Sequence, residues 1–288
     1  MLNVRRSFFL AVLLGLLSPR LAAWGQSRTI RGSRWLAITR LNGPVEIIPF
    51  GAARRPARLG ERLNSVGDIL ITGPEAAARL EVDLATGFIS VSENSRLQIR
   101  TLSVTQSGGR ITELLVLRGQ ARLQIRPLSN PDSRIEIYTP AGVSGVRGTE
   151  FGVSVGPTGQ TGVATLEGSV VSSAQGQSVT VNAQQQSVIR PDEPPSPPEP
   201  LRNDPSLSIE VLRPTGRLDG QSSRLVQVIG YTDSVNLLSL NGEQQPLERN
   251  GRFEATVSSS TSSSTNGRIA LLVTTPLGTT QQYELVIP

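Results

Sequence analysis

The chain has 288 residues, which is enough for two domains with hydrophobic cores of their own. It contains no cysteine and no histidine, and all 28 of its basic residues are arginine. These absences exclude disulfides, metal or haem ligation through Cys or His, and catalysis that needs a histidine, thiolate or lysine side chain. We therefore predict a protein that is not an enzyme and that holds no metal or other cofactor.

Residues 1–25 are predicted to be a secretory signal peptide. Arg5 and Arg6 precede an apolar run over residues 8–17 that is too short to span a bilayer, and small residues stand before position 26. The alternative is an uncleaved membrane anchor. Cleavage would give a periplasmic, cell-surface or secreted protein that is not an integral membrane protein.

The next segment, residues 26–39, is predicted to be a basic N-terminal arm. Residues 26–62 hold eight arginines and two glutamates. Without the three arginines of the signal, the rest of the chain has 25 of the 28 arginines and 23 acidic residues, so its net charge is close to zero. So small a net charge argues against a nucleic-acid partner. Contact with an anionic lipid or polysaccharide is one alternative for the basic end, and a solvated arm is the other. The candidate contact residues are Arg28, Arg31, Arg34, Trp35 and Arg40.

From residue 40 to residue 190 the dominant period of the sequence is two. In residues 78–84 apolar side chains alternate with charged ones, as in a strand with one buried and one solvated face. The same alternation occurs in residues 121–126, 134–137 and 151–155. Clusters of Gly, Asn, Ser and Pro separate these short segments. We predict an all-β protein whose first domain covers residues 40–190.

A glycine pattern recurs in this domain. An apolar residue, one variable residue and a glycine precede alternating apolar residues at 41–43, 117–119 and 166–168. The unequal spacing argues against a strict repeat and favours strands that kink at glycine where the chain turns a corner. The glycines of residues 142–156 are also interpreted as scaffold, because the helix of a phosphate cradle and the histidine of a hydrolase are both missing.

Arg147 and Glu150 lie at the centre of that glycine-rich stretch. They are close enough in sequence to form an ion pair, or Arg147 caps backbone carbonyl groups at a corner. Glu150 and Glu167 are also candidates for the paired acids of a glycosidase. Charged residues on alternating strands normally face water, however, and the sequence does not fix the separation that this chemistry needs. We predict structural roles for these side chains.

Three stretches of the first domain, T-P-A at 139–141, V-R-G-T-E-F-G-V at 146–153 and T-L-E-G-S-V at 165–170, resemble the core of the FecR-type domain family. The earlier G-D-I-L-I-T-G at 67–73 is similar to an upstream segment of the same family. The resemblance implies an extracytoplasmic, solenoid-like or rolled-sheet β domain. Its core motif residues are Val146, Arg147, Gly148, Thr149, Phe151 and Gly168.

Named members of this family relay ferric-siderophore signals to sigma factors, whereas other members are stand-alone secreted proteins. Only a few residues precede the apolar run at 8–17, which is too few for a cytoplasmic anti-sigma region. This chain therefore resembles the secreted members more closely.

Seven prolines in residues 190–205 predict an extended, semi-rigid linker over residues 191–205. Residues 206–288 then contain about seven short strands, with hairpin signals at 241–242 and 250–251. They resemble bacterial Ig-like repeats of surface proteins. We predict a FecR-like β-solenoid or rolled-sheet domain followed by an Ig-like β-sandwich.

Two functional hypotheses follow from these features. The first is a non-catalytic extracytoplasmic binding or scaffold protein of the bacterial cell envelope, whose partner is an envelope protein, a glycan or an anionic surface. The second is a periplasmic sensor component of a FecR-type signalling system, which acts through a partner in trans. The identity of the bound partner distinguishes the two.

Overall fold

Strands joined by turns and loops make up the part of the chain that the structure describes. This computed structural model describes residues 34–83, 85–217, 223–260 and 268–286. The predicted all-β class is confirmed, and in β6 (Ala77–Val82) every second side chain from Ala78 onward is buried, as the alternation predicts. Among the described residues there is no helix that could span a membrane. The signal predicted at residues 1–25, together with Arg28 and Arg31, lies outside the described residues.

Seventeen of the described strands precede residue 201 and form the first domain. They are β1 (Leu36–Asn42), β2 (Val45–Ile48), β3 (Arg55–Pro56), β4 (Arg62–Leu63), β5 (Ile69–Thr72), β6 (Ala77–Val82), β7 (Gly87–Val91), β8 (Arg96–Val104), β9 (Arg110–Ile125), β10 (Arg134–Tyr138), β11 (Val143–Val146), β12 (Glu150–Val155), β13 (Thr161–Glu167), β14 (Ser169–Ala174), β15 (Gln177–Asn182), β16 (Gln185–Ile189) and β17 (Glu199–Pro200).

These strands form two sheets that share β9. In order of pairing, sheet 1 contains β4, β1, β6, β7, β9, β12, β13, β16 and β17. Sheet 2 contains β3, β2, β5, β8, β9, β10, β11, β14 and β15, and its β9–β10 pair is parallel. Residues 110–118 of β9 pair in sheet 2 and residues 119–125 pair in sheet 1. One apolar core contains side chains from both sheets, including Leu36 of β1 and Ile47 of β2.

The chain passes between the two sheets at glycine corners, as the recurring glycine pattern predicts. Gly43 lies between β1 and β2, Gly119 lies at the bend of β9, and Gly168 lies between β13 and β14. Their φ angles are +66°, +85° and +80°, in the region that glycine enters at no steric cost. At Gly119 an added Cβ atom would lie 2.1 Å from Ser95 Oγ and 2.5 Å from Ser95 Cα. That corner therefore needs a residue without a side chain.

Arg34 lies inside the protein and not on an exposed arm. Its guanidinium donates to the Asp83 carboxylate at 2.8 and 3.0 Å and to Thr112 Oγ1 at 2.7 Å. The backbone carbonyls of Ser103 and Ile111 accept two further hydrogen bonds, at 3.1 and 2.5 Å. Because Arg34 is only 8% exposed, the prediction that it belongs to a surface contact is wrong. A charge buried this deeply is retained only where a partner compensates it.

The proline-rich segment at residues 191–205 lies along the edge of sheet 1. Its β17 pairs with β16, and the Ser196 N–H donates to the Val188 carbonyl at 2.8 Å. Prolines suit this position because β17 is an edge strand, whose outer side needs no N–H donors. Most of the segment that the sequence predicts to be an extended linker is therefore packed against the first domain. Ser33–Pro288 form one compact unit.

Seven described strands follow residue 207 and form two further sheets, which we call the C-terminal domain. They are β18 (Ser208–Arg217), β19 (Ser223–Tyr231), β20 (Leu237–Leu240), β21 (Glu243–Gln245), β22 (Arg252–Ser260), β23 (Arg268–Thr274) and β24 (Thr280–Val286). The sheets have the orders β18-β19-β22 and β21-β20-β23-β24. A second apolar core contains residues of both sheets, among them Val228 and Leu271.

One of the two hairpins predicted in this domain is present. Asn241 and Gly242, with φ angles of +50° and +84°, connect the paired strands β20 and β21. Residues 250–251 do lie in a turn, in which the Gly251 N–H donates to the Glu248 carbonyl at 3.0 Å. The turn is not the predicted hairpin, because it leads from β21 to β22, which belongs to the other sheet. Strand β22 pairs with β19, more than 20 residues earlier in the chain, and local turn residues carry no information about that choice.

Replacing Gly119 by alanine should destabilise the protein more than replacing Gly176. Gly176 also has a positive φ, +70°, but no atom lies within 4 Å of its added Cβ. In the Gly176 variant only the backbone conformation is unfavourable, so its free energy of unfolding should fall by about 1 kcal/mol. In the Gly119 variant the new methyl group also overpacks against Ser95, so its free energy of unfolding should fall by about 3 kcal/mol in total. Free energies of unfolding from chemical denaturation measure the difference, and equal losses would contradict the corner assigned to Gly119.

Candidate functional site

The FecR-like core motif forms a corner of the first domain. Val146 and Phe151 are 4% and 0% exposed and belong to the apolar core. Gly148 has a φ of +142°, and an added Cβ would lie 2.5 Å from Pro127 Cα. An added Cβ on Gly168 would lie 2.8 Å from the Gly148 carbonyl oxygen. The two glycines of the motif therefore allow three chain segments to touch.

The polar side chains of this motif form hydrogen bonds with other parts of the domain. Arg147 donates to the Asn130 carbonyl at 3.3 Å, and Thr149 Oγ1 donates to the Ser169 carbonyl at 2.9 Å. Of the two roles predicted for Arg147, the structure shows the carbonyl cap. The ion pair with Glu150 is not formed, because Glu150 contacts a different arginine.

Glu150 pairs with Arg122 on the neighbouring strand β9. Arg122 Nε and Gln124 Nε2 each donate to Glu150 Oε1 at 2.9 Å. Burial raises the pKa of Glu150, but the hydrogen bonds from Gln124 and Arg122 outweigh burial and hold the pKa below its usual value. A carboxyl group that is ionised at neutral pH cannot be the general acid of such a pair, so Glu167, its register partner across the β12–β13 pair, would have to supply the acid. Glu150 Oε1 is already held by Arg122 and Gln124, which suits a structural role.

The outer face of β12 and β13 in sheet 1 is covered by the C-terminal domain. Strands β12 and β13 are buried on both faces over most of their length, whereas a strand at the surface alternates. A Cβ added to Gly152 of β12 would lie 1.8 Å from the Pro276 carbonyl oxygen. A Cβ added to Gly162 of β13 would lie 2.4 Å from the Val235 carbonyl oxygen. The backbones of the two domains thus meet at two glycines.

Hydrogen bonds surround these two glycines. Gln120 Nε2 donates to the Pro276 carbonyl at 2.6 Å, and Ser154 Oγ donates to the Val235 carbonyl. Gln120 is 2% exposed and Ser154 is 1% exposed, so water cannot replace the C-terminal carbonyls as their partners without opening the contact. The C-terminal domain therefore satisfies buried polar groups of the first domain.

The Arg122–Glu150 ion pair reaches the same contact. Arg122 also donates to the Leu277 carbonyl at 3.3 Å. Gln160 donates to the Ser234 carbonyl at 2.9 Å on the other side of the contact. We call this surface the interdomain seam; on the first domain it consists of Gln120, Arg122, Gly152, Ser154, Gln160 and Gly162.

Two members of the predicted surface contact, Trp35 and Arg40, do lie toward the surface. Trp35 is half-buried, and the guanidinium carbon of Arg62 lies 4.1 Å from the centroid of its ring. Arg40 is exposed. The structure thus joins Trp35 to Arg62, which the prediction did not include, and places Arg34 in the interior.

Arg62 belongs to a basic segment between β2 and β5, which we call the 49–67 segment. Its four arginines are residues 54, 55, 58 and 62. The Asp68 carboxylate fixes this segment, because it accepts hydrogen bonds from three backbone N–H groups at 2.8, 3.0 and 2.9 Å: those of Phe50, Asn64 and Ser65. Asp68, which belongs to the G-D-I-L-I-T-G stretch at 67–73, therefore has a structural role.

The sequence analysis places the glycine-rich stretch in the scaffold but does not predict the seam. A glycine inside a strand often marks a place where another backbone approaches closely. Gly152 in β12 and Gly162 in β13 carry that signal. The sequence does not show which backbone approaches, because Gln120 and its acceptor at Pro276 lie 156 residues apart.

Comparison with family models gives a match within the first domain. The model of the family described as FecR protein matches residues 68–171. No curated protein matches the chain. Two crystal structures of a "putative anti-sigma factor" from Parabacteroides distasonis ATCC 8503 are similar to it, at 12% identity and with TM-scores of 0.37 and 0.33.

Each of these two similarities covers 46% of this chain, and they cover 59% and 54% of the solved chains. The chain therefore spans less than two thirds of the length of either structure. The family match contains the corner motif, the bend of β9 and the seam glycines Gly152 and Gly162. Residues 68–171 of the chain are a FecR domain.

Proposed function

We propose that the protein is a non-catalytic, extracytoplasmic binding or scaffold protein of the bacterial cell envelope. In this proposal the seam holds the FecR domain and the C-terminal domain in one fixed arrangement. The partner is an envelope protein, a glycan or an anionic surface. The seam is the observation that supports the proposal most strongly, because direct contact between backbones leaves the two domains little freedom to move.

The FecR core motif also favours a structural role over a catalytic one. Its arginine, threonine and glutamate are bonded to Asn130, Ser169 and Arg122. Groups that perform chemistry must be able to reach a substrate. Here each side chain instead ties two segments of the domain together.

We infer in addition that the C-terminal domain is an Ig-like sandwich. For this comparison its seven strands are numbered 1 to 7 from β18 to β24. One sheet then contains strands 1, 2 and 5, and the other contains strands 4, 3, 6 and 7. A constant-type immunoglobulin domain has strands 1, 2, 5 and 4 in one sheet and 3, 6 and 7 in the other. Only the fourth strand, β21, changes sheets. The loops that meet the FecR domain, β19–β20 and β23–β24, correspond to two loops at one end of such a sandwich.

A periplasmic sensor component of a FecR-type signalling system is the second candidate. The match of the FecR family model to residues 68–171 favours it. In that case the protein acts in trans on a transmembrane regulator or an outer-membrane receptor. The two candidates share the fold and the seam and differ in the partner.

Crosslinking in the cells that produce the protein, followed by mass spectrometry of the captured material, tests the proposed function. We expect cell-wall, surface-layer or other structural envelope components, because the seam suits a fixed scaffold. Capture of a transmembrane regulator or an outer-membrane receptor would contradict the scaffold and support the sensor. An unrelated exported protein expressed at the same level serves as the control for nonspecific capture.

Replacing Gly152 by alanine should detach the C-terminal domain, because the new methyl group would overlap the Pro276 carbonyl oxygen. Gly145→Ala is the matched control, since its added Cβ meets only Glu136 Cγ, at 3.9 Å. Small-angle X-ray scattering should show a larger radius of gyration for the Gly152 variant alone. If that variant is as compact as Gly145→Ala, the seam does not hold the domains together.

Acid should destabilise the fold beside the seam through Glu150. Its pKa is lowered in the folded protein, so the contacts that lower it stabilise the fold above the pKa of an unfolded glutamate, about 4.3, and this contribution is lost as the pH falls through the lower folded value. The variant Glu150→Gln should lose about 1–2 kcal/mol at pH 7. Below both pKa values the unmodified protein loses the same contribution, so the difference should shrink.

Urea unfolding over a series of pH values measures this difference. Glu284→Gln is the control, because the Glu284–Arg268 pair is 54% exposed on both sides and should contribute little at any pH. A loss in Glu150→Gln that is the same at every pH would show that the charge of Glu150 does not stabilise the fold.

A further inference from the structure

The 49–67 segment exposes large apolar side chains. Phe50 is 73% exposed, Leu59 is 69% exposed and Val66 is 58% exposed. Large apolar residues are common in protein interiors, and several on one short exposed segment are a frequent sign of an interaction surface. Half of the large apolar residues found exposed in the described part of the chain fall within these 19 residues.

The two turns of this segment project into solvent. Gly51 lies in the turn before β3 and Gly60 in the turn after it, and in both cases no atom lies within 4 Å of an added Cβ. The ring of Phe50 lies against Gly67, where an added Cβ would be 2.6 Å from the ring carbon Cδ2. Phe50 and Val66 are therefore neighbours, and Leu59 stands on the second turn. The Asp68 carboxylate holds the Phe50 end in place before any partner binds.

The segment also has an excess of positive charge. Arg54 pairs with Glu46, and Arg55 pairs with Glu61. Among the described residues no carboxylate lies within ion-pair distance of the three other exposed arginines of this region. These are Arg58 and Arg62 of the segment and Arg40 of the adjacent strand β1.

We propose that the 49–67 segment docks on an anionic phospholipid surface. Phe50, Leu59 and Val66 enter the boundary between head groups and acyl chains, and the unpaired arginines contact the phosphate groups. Arginines alone would suit an acidic polysaccharide equally well, but a polysaccharide offers no apolar layer for three protruding side chains. Basic and apolar residues side by side are typical of proteins that lie at the membrane interface.

This inference rests on the extracytoplasmic location in the proposed function and specifies its anionic surface. It also moves the contact from the predicted arm to the 49–67 segment, since Arg34 of that arm is buried. It does not depend on the seam. Loss of lipid binding therefore leaves the scaffold untouched, and detachment of the C-terminal domain leaves this inference untouched.

Flotation of residues 26–288 with phospholipid vesicles tests the inference. These residues contain the whole compact unit Ser33–Pro288. Binding is expected to vesicles that contain phosphatidylglycerol, to weaken with rising salt, and to be much lower with pure phosphatidylcholine. Equal binding to both kinds of vesicle, or binding to neither, would overturn the inference.

Two kinds of substitution should weaken this binding. Arg58→Gln and Arg62→Gln are each expected to lower the partition coefficient about fivefold. Phe50→Ser and Leu59→Ser are each expected to lower it several-fold while leaving its salt dependence unchanged. Phe50 contacts Gly67, so its replacement could disturb folding. Leu59→Ser is therefore included as a second apolar variant, which tests the same contact without that contribution.

Controls of the same chemistry lie elsewhere on the surface. Arg268→Gln removes an arginine that is 54% exposed, and Val171→Ser removes a valine that is 47% exposed. Both variants should bind as the unmodified protein does. If they bind as weakly as the segment variants, the contact is not local to the segment and the inference fails.

Two further outcomes would also overturn the inference. The first is loss of binding in the arm variant Arg28→Gln/Arg31→Gln together with normal binding in the segment variants, which would assign the contact to the arm. The second is binding to an acidic polysaccharide that Phe50→Ser and Leu59→Ser do not weaken, in the absence of vesicle binding. That result would identify a glycan as the partner.

Discussion

The first domain depends on the places where its chain can leave one sheet and enter the other. An L-amino acid resists the left-handed backbone that three of these passages use, and glycine does not. Gly119 is the most consequential of them because β9 contributes to both sheets. With β9 bent there, β7 and β12 pair with its C-terminal end in sheet 1, while β8 and β10 pair with its N-terminal end in sheet 2. The remaining strands add outward from that shared strand.

Buried polar groups then fix the loops that the sheets leave open. Asp68 gathers three backbone N–H groups, and the Arg34 guanidinium joins the Asp83 carboxylate to two backbone carbonyls. Removal of Asp68 would leave three backbone N–H groups without their acceptor, and removal of Asp83 would leave the buried charge of Arg34 uncompensated. Both losses cost more than the loss of a surface ion pair. The charged residues in these places therefore determine the paths of loops that apolar packing does not reach.

Alternation and turn residues predict a large part of this fold, because both signals are local. The buried face of β6 can be identified from six residues, and the glycine corners from three. The sequence does not predict partners that are far apart in the chain. Arg34 resembles an exposed basic residue because Arg28 and Arg31 precede it, yet its partner Asp83 lies 49 residues further on. For the same reason the seam glycines are recognisable as glycines inside strands, while the carbonyls that approach them are not.

The seam changes which surfaces of the first domain are open to a partner. The outer face of β12 and β13 is occupied by the C-terminal domain of the same chain, so an external protein cannot use that face while the seam is closed. The 49–67 segment is not covered in this way. It ends at β4 and the turn after it, and β4 is an edge of sheet 1, four strands from β9. At about 4.8 Å between neighbouring strands, that places the two features roughly 19 Å apart along the sheet. The closed seam therefore leaves the 49–67 segment accessible for the proposed membrane contact, and this arrangement suits the proposed envelope scaffold.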